Sequence, residues 1–485
     1  MNIKHLNVGI IHSLIGKNDG VSIVIDQTIN AMIKYMGFDL GNIYFLAAHS
    51  SPRFNVETDD VFWHKNKAHK EIVERFCSPN TEGLEETIVI NSRYAQNVIE
   101  SFVKCHDIDL LIVHNTSHPL NFLTAVGLGY FIEKEREKGV IWPKVICWWH
   151  DSYFERERFS NPNPVIKKFL KYLPGTYLDG IVFINQLQST IAKRYYETWK
   201  CKSIEAFFED RTKIVPNTTD IPWDWKSCDF TQNKLISPKL DNYNFTFFKD
   251  LGIIRHLHHI KSKIEDTVFL LQHTRIVPRK RIEVAVDFAF RLEKKFASEG
   301  HQKTICLLVS GHSGDEQNEY RKFVLDYFEA KRIENPDAKV IFILGEDHIL
   351  SCREIIVDKK YYNFSEVPSI IAAHGGMGTY FSDVEGFGNN LLEMLSNGLP
   401  VAINKYEVYK TDIEHYGLQC PSIENCELTN QIIDDSYLLL TNFAQRNQNI
   451  VENLKILESK LDHRIVADKL VPLIKNVYMH NITLT

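Results

Sequence analysis

The chain has 485 residues, of which 44% are hydrophobic, 12% aromatic and 24% charged, a composition that excludes disordered, collagen-like and disulfide-scaffold proteins. Its formal net charge is -6, so there is no global basic footprint for nucleic acid, and no apolar run reaches the roughly 18 residues of a spanning helix. At roughly 100–200 residues per domain, the length predicts two or three domains.

The start, Met1 to Ile15, interleaves polar and apolar residues and runs into Gly16-Lys17-Asn18-Asp19-Gly20. That reads as a buried strand, over Leu6–Ile15, entering a loop, not as the basic stub, apolar stretch and small-residue cleavage site of a signal peptide. A helix follows over Ser22–Met36 and a strand over Asn42–Ala48, and Glu86–Cys105 contains a strand and a helix. Further strands are Leu110–His114, Val145–Trp149, Gly180–Asn185 and Lys213–Pro216, with a helix over Gln186–Trp199. The pattern restarts with a strand at Thr267–Gln272, a helix at Ile282–Lys295, a strand at Thr304–Ser310, a helix at Glu316–Lys331 and a strand at Lys339–Leu344. Then come a short strand at Tyr380-Phe381-Ser382, a helix at Asn389–Ser396, a strand at Pro400–Ile403 and helical patterns from Asp434 onward.

Strands alternating with helices indicate parallel βαβ units, so the fold class is α/β with two doubly wound, Rossmann-like domains. The expected boundaries are an N-terminal domain over 1–220, a linker over 221–263, a second Rossmann-like domain over 264–455 and a helical tail over 456–485 that packs back toward the N-terminal domain. Such sheets bind ligands at the carboxyl ends of their strands, and two facing domains would form an interdomain cleft suited to small molecules. The nine cysteines are scattered singly, odd in number and without a CxxC pair, which fits reduced thiols and a cytoplasmic location.

Two segments carry the chemistry. Ser382-Asp383-Val384-Glu385-Gly386-Phe387-Gly388-Asn389-Asn390-Leu391-Leu392-Glu393 places two glutamates around a Gly-Phe-Gly turn that opens a helix near Asn389. The free first-turn N–H groups and the helix dipole suit a diphosphate. Glu385 stands before the turn, where it can accept hydrogen bonds from hydroxyls, and Glu393 lies about one turn into the helix, within reach of a ribose. The second segment, His273-Thr274-Arg275-Ile276-Val277-Pro278-Arg279-Lys280-Arg281-Ile282, sets several cations at the carboxyl end of a strand, and Arg and Lys both suit a phosphate leaving group.

The glycine loop after the first strand, the Arg-x-x-x-x-Lys loop and the Glu-(seven residues)-Glu element, in this order, resemble the family-4 retaining glycosyltransferases of GT-B fold. Val215-Pro216-Asn217-Thr218-Thr219-Asp220 is similar to that family's segment closing the first domain. The resemblance implies that the N-terminal domain binds the acceptor and the second domain the nucleotide sugar, that Arg275 and Lys280 hold the donor diphosphate and that Glu385 meets the transferred sugar. It implies that the backbone of Phe387, Gly388, Asn389, Asn390 and Leu391 binds sugar hydroxyls and phosphate and that Glu393 binds the ribose. Gly20 matches the glycine loop near the donor phosphate, and His150 a histidine near the reacting carbon. Arg281 and Thr218 stand where the family usually has Gly, and Asp19 replaces the first glycine of the N-terminal loop.

Breaking a sugar–phosphate bond passes through an oxocarbenium-like state while negative charge builds on the diphosphate, where fixed cations act most strongly. No acidic pair sits at a convincing strand end, so the motifs require no metal and no cofactor beyond an NDP-sugar donor, GDP- or UDP-linked. No protein nucleophile is evident, and by resemblance retention comes from same-face attack within an ion pair. On the acceptor side, His114-Asn115 and His150-Asp151 follow apolar strands, and Arg156 and Arg158 offer charge for a carboxylate or phosphate.

The leading expectation is a retaining hexosyltransferase moving mannose or glucose to a small soluble, anionic acceptor. His150–Phe159 and Asn404–Ile413 resemble the mannosylglucosylglycerate-type synthase branch, which implies GDP-mannose and a glycerate-type acceptor. The alternatives are a membrane-surface glycolipid or polysaccharide transferase, with the basic amphipathic stretch Val165–Leu173 as its contact, and a catalytically silent GT-B-like nucleotide-sugar-binding protein. The oligomeric state stays open.

Overall fold

The computed structural model describes residues 2–479 apart from 18, 52, 202 and 313–317. Two compact units emerge, one formed by residues 1–218 and 463–485, the other by residues 219–462.

In the first unit seven parallel strands form one sheet: β1 (Val8–Ile11), β2 (Ile43–Ala47), β3 (Val56–Thr58), β4 (Leu110–His114), β5 (Lys144–Trp149), β6 (Gly180–Phe183) and β7 (Thr212–Ile214). Their order is β3-β2-β1-β4-β5-β6-β7, so the topology switches direction between β1 and β4, where doubly wound sheets bind ligands. Both faces are covered, which is why β4 reads as an unbroken apolar run. Leu111 and Val113 face one core, with Ile88, Ile99 and Phe102 of the helix Leu84–Cys105. Leu110 and Ile112 face the other, with Val24, Ile25 and Ile29 of the helix Gly20–Ala31. The last helix, Arg464–Met479, adds Leu470, Leu473, Ile474 and Val477 to that second core. Thr218 Oγ1 and His463 Nδ1, 2.7 Å apart, mark where the chain leaves this unit and returns.

The second unit holds a six-stranded parallel sheet of β8 (Thr267–Gln272), β9 (Thr304–Val309), β10 (Val340–Leu344), β14 (Met377–Tyr380), β15 (Val401–Asn404) and β16 (Ser422–Ile423). The order β10-β9-β8-β14-β15-β16 puts its switch between β8 and β14. A small separate sheet is inserted after β10, made of β11 (Ile349–Leu350), β12 (Glu354–Ile356) and β13 (Lys359–Asn363).

Several sequence expectations are corrected. Leu84–Cys105 is one continuous helix, with no strand over its β-branched Thr87-Ile88-Val89 stretch, because Leu84, Ile88, Ala95, Ile99 and Phe102 recur at helical spacing and are all buried. The segment 221–263 is packed into the second unit and contains the helices Phe247–Asp250 and Ile253–His259. There Phe248 stacks on Phe269 of β8 at 4.2 Å. The strand expected at Tyr380–Ser382 is β14, which ends at Tyr380. The boundary expected at 456 falls inside the helix Phe443–Lys460, which belongs to the second unit, and the helix Arg464–Met479 belongs to the first. Met1, Asn18 of the predicted first loop, the expected helix start at Glu316 and the tail beyond 479 lie outside the described residues; within them that helix spans Asn318–Glu334.

Candidate active site

The sharpest constellation lies at the carboxyl ends of β8 and β14. After β8 the chain makes a tight turn over Pro278–Lys280, opened by proline at its first position. Arg281 follows with φ +49, in the left-handed region, which explains why glycine is favoured at that place. The side chain there ion-pairs with Asp383 and, at 3.3 Å, with Glu283. The amide of Asp383 donates to the carbonyl of Arg279 at 2.9 Å, tying the basic loop to the acidic one.

Within this frame Lys280 Nζ pairs with Glu385 Oε1, and Arg279 Nη1 donates to Glu385 Oε2 at 2.8 Å. Lys280 and Glu385 are nearly sealed from solvent, with 6% and 8% of their side chains exposed. Burial by itself raises the Glu385 carboxyl, but the Lys280 ammonium and Arg279 guanidinium outweigh it and hold it at about 2. Burial pulls the Lys280 ammonium down to about 8, opposed by Glu385. At neutral pH the cluster is therefore two cations on one carboxylate. The structure brings Arg279, not Arg275, to Glu385; Arg275 is exposed.

The helix Asn389–Ser396 starts at Gly388, and no side chain caps it. Gly388 has φ +133, and a Cβ there would lie 2.4 Å from the Tyr406 hydroxyl, which donates to the Phe387 carbonyl. This position requires glycine. Asn390 donates from its side chain to the His273 carbonyl. Glu393 lines a cavity of about 350 Å³ together with Ser365, Glu366, Ser369 and Asn397.

In the first unit, the histidines predicted at strand ends meet. His114 Nδ1 and His150 Nε2 are 3.0 Å apart, and the His114 ring stacks on Trp148. His12, just after β1, places Nδ1 3.3 Å from the His114 carbonyl; a carbonyl only accepts, so the His12 proton sits on Nδ1. Burial, with His12 as a second cause, holds His150 down at about 3. Burial and the neighbouring histidines push His114 well below its ordinary value. Both rings are thus neutral near pH 7. Asn115, at φ +59, accepts the Asp151 amide at 3.0 Å, and Asp151 pairs with Arg156. Arg158 lies over the Phe159 ring at 4.6 Å.

At the start of the helix Gly20–Ala31, Asp19 accepts from the amides of Val21 and Ser22, each at 3.1 Å. Those two amides are therefore already engaged. A Cβ on Gly20 would meet nothing within 4 Å. Sequence reasoning missed His12, and it gave Arg279 and Glu155 no role of their own within the segments that contain them. Glu155 accepts from Trp149 Nε1 at 3.2 Å, and burial lifts its carboxyl to about 7. Among the described residues no group of histidine, cysteine and acidic side chains is arranged to hold a metal, and no helix is long and apolar enough to cross a membrane.

Both units place their charged and histidine-rich loops at the carboxyl edges of their sheets, around the two switch points. The same fold occurs in the catalytic domain of starch synthase IV from Arabidopsis thaliana bound to ADP and acarbose, with a TM-score of 0.57 and 11% identity over 97% of this chain and 99% of that one. No protein-family model matches the chain. It is similar to the mannosylglucosylglycerate synthase of Petrotoga mobilis, 25% identical over 447 residues and 86% of each chain. It is also similar to the mannosylglucosylglycerate synthase of Thermotoga maritima, 25% identical over 483 residues and 96% of each chain. The protein is a GT-B glycosyltransferase that takes a nucleotide-sugar donor. Within that class its sequence is similar, over most of its length, to these two synthases.

Proposed function

We propose that the protein transfers a hexose, with retention of configuration, from GDP-mannose or a related NDP-sugar to a small anionic acceptor of the glycerate type. The observation that carries this reading is the buried Lys280–Glu385–Arg279 cluster beside the uncapped helix start at Gly388. It presents fixed positive charge where a diphosphate leaving group would gather negative charge. The names of the two relatives favour a mannosyl donor and a glycerate-bearing acceptor.

In this reading Lys280, Arg279 and Arg275 take the diphosphate, together with the backbone of Phe387, Gly388, Asn389, Asn390 and Leu391. As the cations turn to phosphate, Glu385 is released to accept from sugar hydroxyls. Glu393 takes the ribose. His150, neutral and hydrogen-bonded to His114, contacts the sugar or the acceptor near the reacting carbon, and Gly20 leaves room for close backbone approach. Asn115, Asp151, Arg156 and Arg158 form the acceptor side. The acceptor hydroxyl attacks the face that the diphosphate leaves and passes its proton to a donor phosphate oxygen. The cations supply the charge that a metal supplies elsewhere, so no metal is needed, and the enzyme works in the cytoplasm.

The test is nucleotide release from GDP-mannose, GDP-glucose, UDP-glucose and ADP-glucose, with and without glycerate-type acceptors, in buffer containing EDTA. The expected result is acceptor-dependent release of GDP and an α-linked product by NMR. Tight nucleotide binding without release from any pairing would overturn the catalytic reading, and activity lost to EDTA and restored by Mg²⁺ would overturn the metal-independent one.

A further inference from the structure

His273 leaves β8 with its side chain wholly buried, and both of its ring nitrogens are engaged. Nε2 lies 3.1 Å from Glu393 Oε2, and Nδ1 lies 2.8 Å from Ser310 Oγ, just past β9. A carboxylate only accepts, so in the neutral ring the proton is on Nε2, and Nδ1 accepts from the Ser310 hydroxyl. The result is a one-way chain of donors from Ser310 through His273 to Glu393. The ring cannot swing out of it: Phe364 stacks against the imidazole at 3.9 Å and 16°. The Asn390 side chain donates to the His273 carbonyl, so one helix is tied to the same residue through Asn390 and again through Glu393, three residues on. Glu393 itself is 22% exposed and lines the cavity described above.

A glutamate has three rotatable side-chain bonds, and a partly exposed one samples many rotamers unless a partner fixes it. Here one oxygen is fixed by a buried, sterically locked donor, so the other oxygen has one direction left. We propose that His273 is a positioning residue which, through Nε2–H, aims the Glu393 carboxylate at the vicinal hydroxyls of the donor's ribose and so makes the site select ribonucleotides over deoxyribonucleotides. This rests on the nucleotide-sugar reading above and deepens it: Glu393 makes the contact, and His273 makes the contact selective. A site that bonds a hydroxyl rejects the analogue lacking it because its own polar group is then left unpaired.

The experiment is isothermal titration of the full chain with GDP and UDP and with their 2′-deoxy and 3′-deoxy forms. Wild type should bind the preferred ribonucleotide at least tenfold more tightly than its deoxy forms. His273→Phe keeps a ring for Phe364 to stack on and removes both nitrogens. It should lower ribonucleotide affinity about tenfold and leave deoxynucleotide affinity within twofold, erasing the preference. His273→Gln, whose amide N–H stands near the position of Nε2, should restore most of it, and Ser310→Ala should show an intermediate ratio. An unchanged ribo-to-deoxy ratio in His273→Phe, or an equal loss for both nucleotide types, overturns the positioning role while leaving the nucleotide-sugar reading intact. Failure of wild type to bind any of these diphosphates overturns both.

Discussion

Lys280 and Glu385 stand 105 positions apart and meet as a buried ion pair that bridges the loops after β8 and β14. Such a pair contributes little net stability, since desolvation offsets most of the attraction, but removing one partner strands a buried charge at about 3–5 kcal/mol. In the proposed reading its value is in placement: Lys280 and Arg279 form a preorganised cation pair that would need no rearrangement beyond exchanging a carboxylate for a phosphate.

Lys280→Ala should therefore lower kcat/KM by about 10²–10³, equivalent to roughly 2.7–4 kcal/mol of transition-state stabilisation. It should also lower the melting temperature, because Glu385 loses its closest partner. Lys280→Met combined with Glu385→Leu separates the two effects: stability returns with the buried charges gone, and activity does not. Circular dichroism and initial-rate kinetics on the same preparations check this. Near-normal turnover in Lys280→Ala would rule out the phosphate role.

The pH profile follows from the same cluster. Lys280 loses its proton as pH rises through about 8, whereas Glu385, held at about 2, stays ionised across the working range. The dependence of kcat/KM on pH reports groups of the free enzyme, so it should fall about tenfold per unit above pH 8. Lys280→Arg, with a guanidinium that does not titrate there, should be slower at pH 7 and flat to pH 10. The same alkaline fall in both enzymes would assign it to another group.

The parts of this site that follow from local pattern were legible in the sequence. β4 and β8 are unbroken apolar runs, and the helix Asn389–Ser396 begins after a glycine turn and stops before Asn397-Gly398. What escaped depends on geometry between distant segments. Arg275 and Arg279 are chemically alike, and only the turn at Pro278–Lys280 decides which one reaches Glu385. The strand expected within Glu86–Cys105 failed because Thr87, Ile88 and Val89 carry strand propensity that the buried helical stripe overrides. The role of His273 is invisible until Ser310, Phe364 and Glu393 are brought to it.

Gly388 offers a test of the turn itself. Alanine there meets a left-handed backbone and a Cβ position 2.4 Å from the Tyr406 hydroxyl. The strain alone is of order 1–3 kcal/mol, and relieving the clash breaks the Tyr406–Phe387 hydrogen bond. Gly388→Ala should raise the KM for donor at least tenfold and lower the melting temperature. Adding Tyr406→Phe removes the clash but not the backbone strain, so the double variant should recover only part of the loss. Wild-type donor affinity in Gly388→Ala would show that this turn does not shape the donor site.

The first unit should be sensitive to acid through its buried histidines. His69 Nε2 accepts the Leu123 amide at 3.2 Å, and His118 Nδ1 accepts the Leu120 amide at 3.1 Å, so each ring must be neutral to keep its bond. Burial sets His69 at about 3 and His118 at about 4, both below the ordinary value near 6.5 that applies on unfolding. The unfolded chain therefore binds more protons in this window. The stability these rings contribute is fully present above about pH 6.5 and is lost as pH falls toward their folded values, at about 1.4 kcal/mol per pH unit for each ring. The melting temperature should drop steadily between pH 7 and pH 5, where Glu385 remains ionised and adds nothing to the slope. His118→Asn keeps a side-chain acceptor at the start of the Pro119–Asn121 turn and removes one titrating ring, and Asn is as good a cap as any residue. It should flatten the acid limb by about that single-ring slope while leaving stability at pH 7.5 nearly unchanged. Chemical denaturation at a series of pH values measures both, and an acid limb as steep in His118→Asn as in wild type would remove His118 from the account.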